Sequence, residues 1–221
     1  EGFVVFCTQN GLVKRTNISE FENIRSNGKI AITLRENDEL ISVQKTNGNN
    51  EILIASSNGR MIRFIEDEIR VMGRSAAGVK GIDVGDGICV GCEIAIPGQN
   101  VLVATENGYG KQTDIDEYRM THRGSKGVKA LNVTSKNGNI IGFKTLNGDE
   151  DLMIVTNNGI IIRMDCRQIS QTGRVAQGVK LINLKEGQSV STIAILEKED
   201  ISEEGDTGTQ ENIPENNAVE Q

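Results

Sequence analysis

The sequence predicts an all-β fold made of four-stranded, propeller-type blades. Two independent periodicities and the lack of any sustained helical pattern predict it. Asn-Gly pairs begin at Asn10, Asn58, Asn107 and Asn158, spaced 48, 49 and 51 residues apart. A second set of glycines, Gly28, Gly78, Gly127 and Gly178, recurs at 50, 49 and 51.

Each Asn-Gly pair reads as the tip of a hairpin. The aligned segments Phe3–Thr16, Glu51–Phe64, Asn100–Thr113 and Asp151–Met164 place an apolar run before the pair and a strand with basic residues after it. Asn-Gly favours a type I′ turn, in which both central residues take positive φ and the turn matches strand twist. The runs Ile52–Ala55, Val101–Ala104 and Leu152–Val155 show no polar alternation. Strands of that kind are expected to be buried on both faces.

The second glycine sits in a basic loop: Arg25–Lys29, Gly73–Lys80, His122–Lys129 and Gly173–Lys180. An apolar strand pair is expected after each loop, such as Ala31–Leu34 with Leu40–Val43, or within Ile88–Ile96. In this frame residues 1–24 are half a blade, 25–72, 73–121 and 122–172 are whole repeats, and 173–196 open another. About four to five blades are then present, cut from a larger toroid or arc.

Only 3% of the residues are aromatic and none is Trp, so the core must be built from Val, Ile, Leu and Ala. No run approaches the roughly 20 apolar residues of a membrane span. The start, Glu1–Phe6, lacks the basic region of a signal peptide. A cytoplasmic protein with no membrane partner is expected.

The formal net charge of −7 argues against a nucleic-acid partner until its distribution is considered. Residues 197–221 hold nine acidic residues and one basic, which leaves residues 1–196 at +1. This segment reads as an acidic, disordered tail.

In the body, cations recur in register with the glycines. Lys14, Arg15, Arg60, Arg63, Lys111 and Arg163 lie on the outgoing hairpin strands, and Arg25, Lys29, Arg74, Lys80, Arg123, Lys126, Lys129, Arg174 and Lys180 in the glycine loops. If blades stack radially, equivalent positions fall on one rim and these fifteen residues form a belt suited to phosphates. The plainer reading is that solvent-facing strand positions are often basic, and Glu66, Asp67, Glu68, Asp114, Asp116 and Glu117 occur in the same repeats. Few aromatics and no recognition helix leave duplex DNA, held by its backbone and by its deformability, as the expected partner.

Catalytic patterns are missing. Cys89 and Cys92 stand three apart on an expected strand, which would point them to opposite faces, and no second paired spacing completes a zinc site. Small core residues are the better account. Asn107–Gly110 lacks the Lys-Ser/Thr and helix of a phosphate-binding loop. Tyr109, Tyr118 and the single His122 have no evident partners for covalent or triad chemistry.

On Asn107–Thr113, on Ile69–Arg74 with Gly78–Gly81, and on Ile169–Arg174 with Gln177–Lys180, the sequence resembles the C-terminal domain of the bacterial DNA gyrase A protein. The resemblance covers roughly residues 1–196. It implies a six-bladed β-pinwheel with strands exchanged between blades, and a basic rim that wraps duplex DNA with positive writhe. It further implies a nucleoid-associated A2B2 holoenzyme, built with the N-terminal region of the gyrase A protein and with the gyrase B protein, in which ATP and Mg²⁺ drive negative supercoiling. The fragment itself is expected to hold no cofactor, no metal and no catalytic residue. The family's first-blade box, Gln-Arg-Arg-Gly-Gly-Lys-Gly, is absent, and Arg123–Gly127 is its nearest echo. This chain is therefore expected to guide DNA more than to clamp it. The corresponding domain of topoisomerase IV and a propeller-like protein-interaction module remain alternative readings.

Overall fold

The structure, a computed structural model, describes residues 2–198. Its strands are β1 (Phe3–Thr8), β2 (Leu12–Asn17), β3 (Leu40–Thr46), β4 (Glu51–Ser56), β5 (Arg60–Ile65), β6 (Val79–Lys80), β7 (Cys89–Ala95), β8 (Asn100–Thr105), β9 (Tyr109–Asp114), β10 (Val128–Lys129), β11 (Ile140–Leu146), β12 (Glu150–Thr156), β13 (Ile161–Asp165), β14 (Val179–Lys180) and β15 (Val190–Glu197). They form four antiparallel sheets with the orders β3-β1-β2-β6, β7-β4-β5-β10, β11-β8-β9-β14 and β15-β12-β13. The all-β, bladed architecture is the one expected from the repeat.

The sheets divide the chain differently from the sequence frame. Residues 3–17 are no half blade: β3 completes them on one side and β6 on the other. No strand forms over Ala31–Leu34 among the described residues, and Ile88–Ile96 holds the single strand β7. The fourth strand of each complete sheet is a Val-Lys pair donated from the next repeat's glycine loop. A two-residue strand is too short to show period-2 patterning, so a frame drawn from hydrophobic runs assigns it to the wrong blade. The acidic-tail reading falls mainly on residues 199–221, outside the described residues. Glu197 ends β15, and Lys198 donates to Asp165 at 2.8 Å.

The hairpin turns also differ from expectation. Only the glycine of each Asn-Gly pair has positive φ, from 77° to 86° at Gly11, Gly59, Gly108 and Gly159. Each glycine N–H donates back to Thr8, Ser56, Thr105 or Thr156 at 2.9–3.1 Å. This is a tight turn followed by a left-handed glycine, the G1-bulge hairpin. Thr8, Thr105 and Thr156 hydroxyls accept the N–H of the residue after the glycine, holding the turn from its other side.

The core lies between blades. Ile52, Leu53, Ile54 and Ala55 are fully buried. Ile52 and Ile54 pack toward the first blade with Val5, Val13 and Ile82, whereas Leu53 and Ala55 pack toward the third with Val101, Val103 and Leu131. Two-faced burial of β4 therefore has the cause inferred from its apolar run. At about 1.5–3 kcal/mol per buried aliphatic side chain, this sandwiching is a principal source of cohesion. Strands β3, β7, β11 and β15 pack side by side as the inner strands of the arc.

Candidate nucleic-acid interface

Successive blades are joined by a repeated device, which places the rim. The carbonyls of the first three hairpin glycines each accept two N–H bonds from the following repeat: Gly11 from Gly81 and Ile82, Gly59 from Ala130 and Leu131, Gly108 from Leu181 and Ile182. A Cβ on Gly59 would lie 2.6 Å from the Leu131 carbonyl oxygen, so this approach requires glycine. A little further on, Met72, Thr121 and Thr172 each donate a backbone N–H at 2.8 Å to Arg15, Arg63 and Gln112. The glycine loops are thereby laid one after another along a single side of the arc.

Arginines link those loops. Arg74 donates to the Ile30 carbonyl, Arg123 to Lys80 and Arg174 to Lys129, each at 2.9 Å. Glu68 and Glu117 accept from the backbone N–H of Arg123 and Arg174 at 3.1 and 3.0 Å. The loops hold their shape by these contacts while their lysines point outward. Lys29, Lys80, Lys126, Lys129 and Lys180 are exposed, as is Arg25; Arg60, Arg74, Arg123 and Arg174 are half-buried.

Four of the fifteen expected belt residues do not reach the rim. Lys14 and Lys111 are 0% exposed, Arg15 5% and Arg63 8%. Lys111 Nζ donates to Thr113 Oγ1 at 2.9 Å and to the Gly173 and Arg174 carbonyls at 2.6 and 2.9 Å. Lys14 acts likewise two joints earlier, donating to the Ala31 and Arg74 carbonyls. Arg15 pairs with Asp67 at 2.9 Å and lies over the Phe3 ring. Arg63 pairs with Glu51 at 2.7 Å and donates to the Ile115 carbonyl at 2.9 Å. These cations clasp the next blade. The sequence expectation failed there because the outgoing strand is covered on both sides, by its own core and by the neighbour's loop. Arg163, at the equivalent place in the last blade, is exposed and pairs with Asp151 at 2.7 Å.

Burial pushes the Lys111 ammonium down to about 8, and it lowers Lys14 as well. Beside the last hairpin, hydrogen bonds from Arg167 and Lys198 hold the Asp165 carboxyl far below the usual carboxylate range.

The acids that weighed against a belt are engaged inside the repeats. Glu66 accepts the Asn50 N–H, Asp67 holds Arg15, Glu68 holds the His122–Arg123 loop, Asp114 caps a 3-10 turn, Asp116 faces Arg63 and Glu117 holds Arg174. On the rim itself Lys80 lies 3.9 Å from Asp83 and Arg74 4.0 Å from Glu20, whereas Arg25, Lys126 and Lys180 have no acidic partner among the described residues. Arg60 and Lys129 stand directly opposite each other across β5 and β10, and neither has an acidic partner among the described residues. Like charges in that position cost stability unless an anion lies between them.

Some rim residues escaped the sequence reading. Arg70 and Arg119 are exposed at equivalent places after consecutive 3-10 turns, and their in-register recurrence was the available signal. Lys136, absent from the expected belt, lies 5.6 Å from the Tyr109 ring centroid and the expected Lys180 5.9 Å from it, a grouping that only the fold creates.

Cys89 and Cys92 correct the geometric part of their expectation. A bulge between Ala55 and Ser56 lets both face the core, where Cys89 Sγ lies 3.5 Å from Cys7 Sγ. The neighbouring thiols and burial push Cys7 well above its ordinary value, which disfavours the thiolate. Tyr118 is fully buried and its hydroxyl is pushed up to about 12 by burial, so it is no accessible nucleophile.

A family model described as "DNA gyrase C-terminal domain, beta-propeller" matches residues 2–47, 50–94, 99–147 and 150–197. These four segments follow the sheets, not the repeat frame drawn from hydrophobic runs. The DNA gyrase A protein of Staphylococcus epidermidis (strain ATCC 12228 / FDA PCI 1200) is 49% identical over 203 residues, which is 90% of this chain and 23% of that protein. The same protein of Staphylococcus aureus (strain MRSA252) is 49% identical over 93% of this chain and 24% of its own length. The chain thus spans 23–24% of these curated relatives. Among solved structures, a DNA topoisomerase IV C-terminal domain superposes with a TM-score of 0.84 at 26% identity, covering 89% of this chain and 62% of that one. A DNA gyrase A C-terminal domain superposes at 0.80 with 20% identity, over 88% and 66%, a likeness of fold. Four blades, their loop-linked joints and the match across each blade place this chain in the family of the DNA gyrase C-terminal domain.

Proposed function

We propose that the rim of glycine loops binds the backbone of duplex DNA without sequence preference and bends it along the arc. The observation that carries this reading is the charge arrangement: repeat acids hold the joints, while Lys29, Lys80, Lys126, Lys129 and Lys180 face outward on successive loops. Such a surface neutralises phosphates without reading base edges, and specificity would come from the cost of bending.

In the whole protein this domain would act as the C-terminal domain of a gyrase A protein. It would wrap a DNA segment for an A2B2 holoenzyme that uses ATP and Mg²⁺ to introduce negative supercoils in the cytoplasm, at the nucleoid. This chain would supply no catalytic residue and hold no cofactor. The similarity to a topoisomerase IV C-terminal domain supports a second reading within the same enzyme class, in which the arc steers DNA without strong wrapping.

The test is duplex binding by this chain across a salt series. Log affinity should fall linearly with log salt, with a slope of about −0.9 per phosphate contacted. A salt-independent affinity, or no binding at low salt together with a stable protein partner, would replace the proposal with a protein-interaction module.

A further inference from the structure

Between each glycine loop and the next inner strand the chain makes a turn: residues 32–39, 82–88, 131–139 and 182–189. The last residue of each turn accepts an N–H from its own blade's hairpin: Glu39 from Gln9, Ile88 from Ser57, Asn139 from Glu106 and Ser189 from Asn157. Three of the turns carry carboxylates: Glu36, Asp38 and Glu39 in the first, Asp83 and Asp86 in the second, Glu186 in the fourth. The third has none, and it holds Lys136.

The backbone fixes where Lys136 stands. Asn137 is 0% exposed; its Oδ1 accepts the Thr134 N–H at 2.7 Å, and its Nδ2 donates to the Asn132 and Gln177 carbonyls at 2.9 and 3.0 Å. Asn107 Nδ2 donates to the Ser135 and Lys136 carbonyls at 3.3 and 3.2 Å. The turn is thereby tied both to the hairpin that presents Tyr109 and to the loop that carries Lys180. Lys180 stands directly opposite Tyr109 across β14 and β9. The two ammonium groups consequently approach one ring, at 5.6 and 5.9 Å from its centroid, where a cation and an aromatic face attract. Both lysines are exposed, and neither has an acidic partner among the described residues. Glu106, the nearest acid along the chain, accepts the Asn139 N–H at 2.9 Å.

Packing does not call for a tyrosine here, since Leu12 and Arg60 take its place opposite Lys80 and Lys129. Thr105 Oγ1 accepts the Tyr109 backbone N–H at 3.2 Å, while its hydroxyl has no partner among the described residues. A half-buried phenol beside two unpaired ammonium groups suits a phosphodiester: the O–H donates to one oxygen and the cations neutralise the charge. We propose that Tyr109, Lys136 and Lys180 form a phosphate site on the third blade, which holds one backbone phosphate of duplex DNA at a fixed point of the arc. This rests on the rim binding DNA, and it adds a directional contact at one blade to a charge belt shared by all.

Duplex binding by the 221-residue chain, over a salt series, tests the site. Tyr109→Phe keeps the ring and both cation contacts, and it should weaken binding by on the order of tenfold with the salt slope unchanged, as for one hydrogen bond to a charged acceptor. Lys136→Gln should weaken binding and flatten the salt slope by about 0.9. Lys185→Gln, in the fourth turn beside Glu186, should alter neither. The chain has two tyrosines and Tyr118 is fully buried, so duplex DNA should move only the Tyr109 ring signals in nuclear magnetic resonance spectra. Unchanged melting curves for the variants would keep these effects apart from folding. If wild type binds with a salt dependence while Tyr109→Phe and Lys136→Gln bind as tightly, the phosphate site falls and the DNA-binding rim stands. A loss with Lys185→Gln equal to that with Lys136→Gln would also overturn the site, because the effect would then be general charge. No binding by wild type at low salt would remove both proposals.

Discussion

Lys111 donates to the carbonyl of Arg174 at 2.9 Å, and Arg174 in turn donates through its guanidinium to Lys129 at 2.9 Å. A buried cation of one blade thus fixes the loop that carries the exposed cations of the next. Replacing Lys111 with Met would leave the Gly173 and Arg174 carbonyls without this donor. Each unmet group costs about 1–3 kcal/mol, so the thermal midpoint should drop clearly. An unchanged midpoint would mean that the clasp does not hold the loop.

The same residue has a pH signature. Its ordinary value is 10.5 and burial brings it to about 8 in the folded chain. Below pH 8 both folded and unfolded states carry the proton, and folding bears the full penalty of burying charge. Between 8 and 10.5 the unfolded state binds more protons, so this group's contribution to stability rises with pH. The stability of wild type relative to Lys111→Met should therefore improve across that window, by on the order of 2–3 kcal/mol in all. Denaturant midpoints at closely spaced pH values check it, and parallel pH profiles would refute it.

Arg63 and Lys129 should behave oppositely although both were expected on the belt. Arg63→Met removes the pair with Glu51 and the bond to Ile115, lowering stability by about 2 kcal/mol while leaving the salt slope of DNA binding unchanged. Joint reversal of Lys80, Lys126 and Lys129 to Glu should not lower the melt appreciably, because Lys129→Glu turns its like-charged pairing with Arg60 into an opposite-charged one. It should weaken DNA binding across all sequences and flatten the salt slope by about 0.9 for each lost phosphate contact. A salt slope that changes with Arg63, and not with the lysines, would move the interface off the rim.

Gly59 and Gly159 share a positive φ and differ in surroundings. Alanine at Gly159 meets open space and should cost only the conformational strain, about 1–2 kcal/mol. Alanine at Gly59 meets the Leu131 carbonyl at 2.6 Å and should cost substantially more. Equal midpoints for the two variants would contradict a close backbone approach at Gly59.

Residues 199–221 carry eight acidic and no basic residues. Cleavage after Lys198 keeps its bond to Asp165 and removes that charge. If the tail competes for the rim, truncation tightens DNA binding, most visibly at low salt where screening is weak. Identical affinities before and after truncation would assign it a passive role.

The sequence by itself determined the repeat, the bladed all-β class, two-faced burial at Ile52–Ala55 and the glycine loops as the place of charge. These follow from local rules: chain period, apolar runs and turn residues act within a few positions of one another. Only the tertiary structure decided which cations face solvent. Lys14 and Lys29 are the same residue type in the same repeat, yet one lies beneath the next blade's loop and the other is on the surface. It also decided to which blade each Val-Lys pair belongs, because that pairing joins residues more than a whole repeat apart, such as Leu12 and Lys80. The bulge that turns Cys89 and Cys92 to one face arises from strand register, which the cysteine spacing does not contain. Hydrophobic pattern states how deeply a strand is buried, whereas a basic side chain reads alike whether it faces water or a neighbour's carbonyls. That ambiguity disappears only when the joints close.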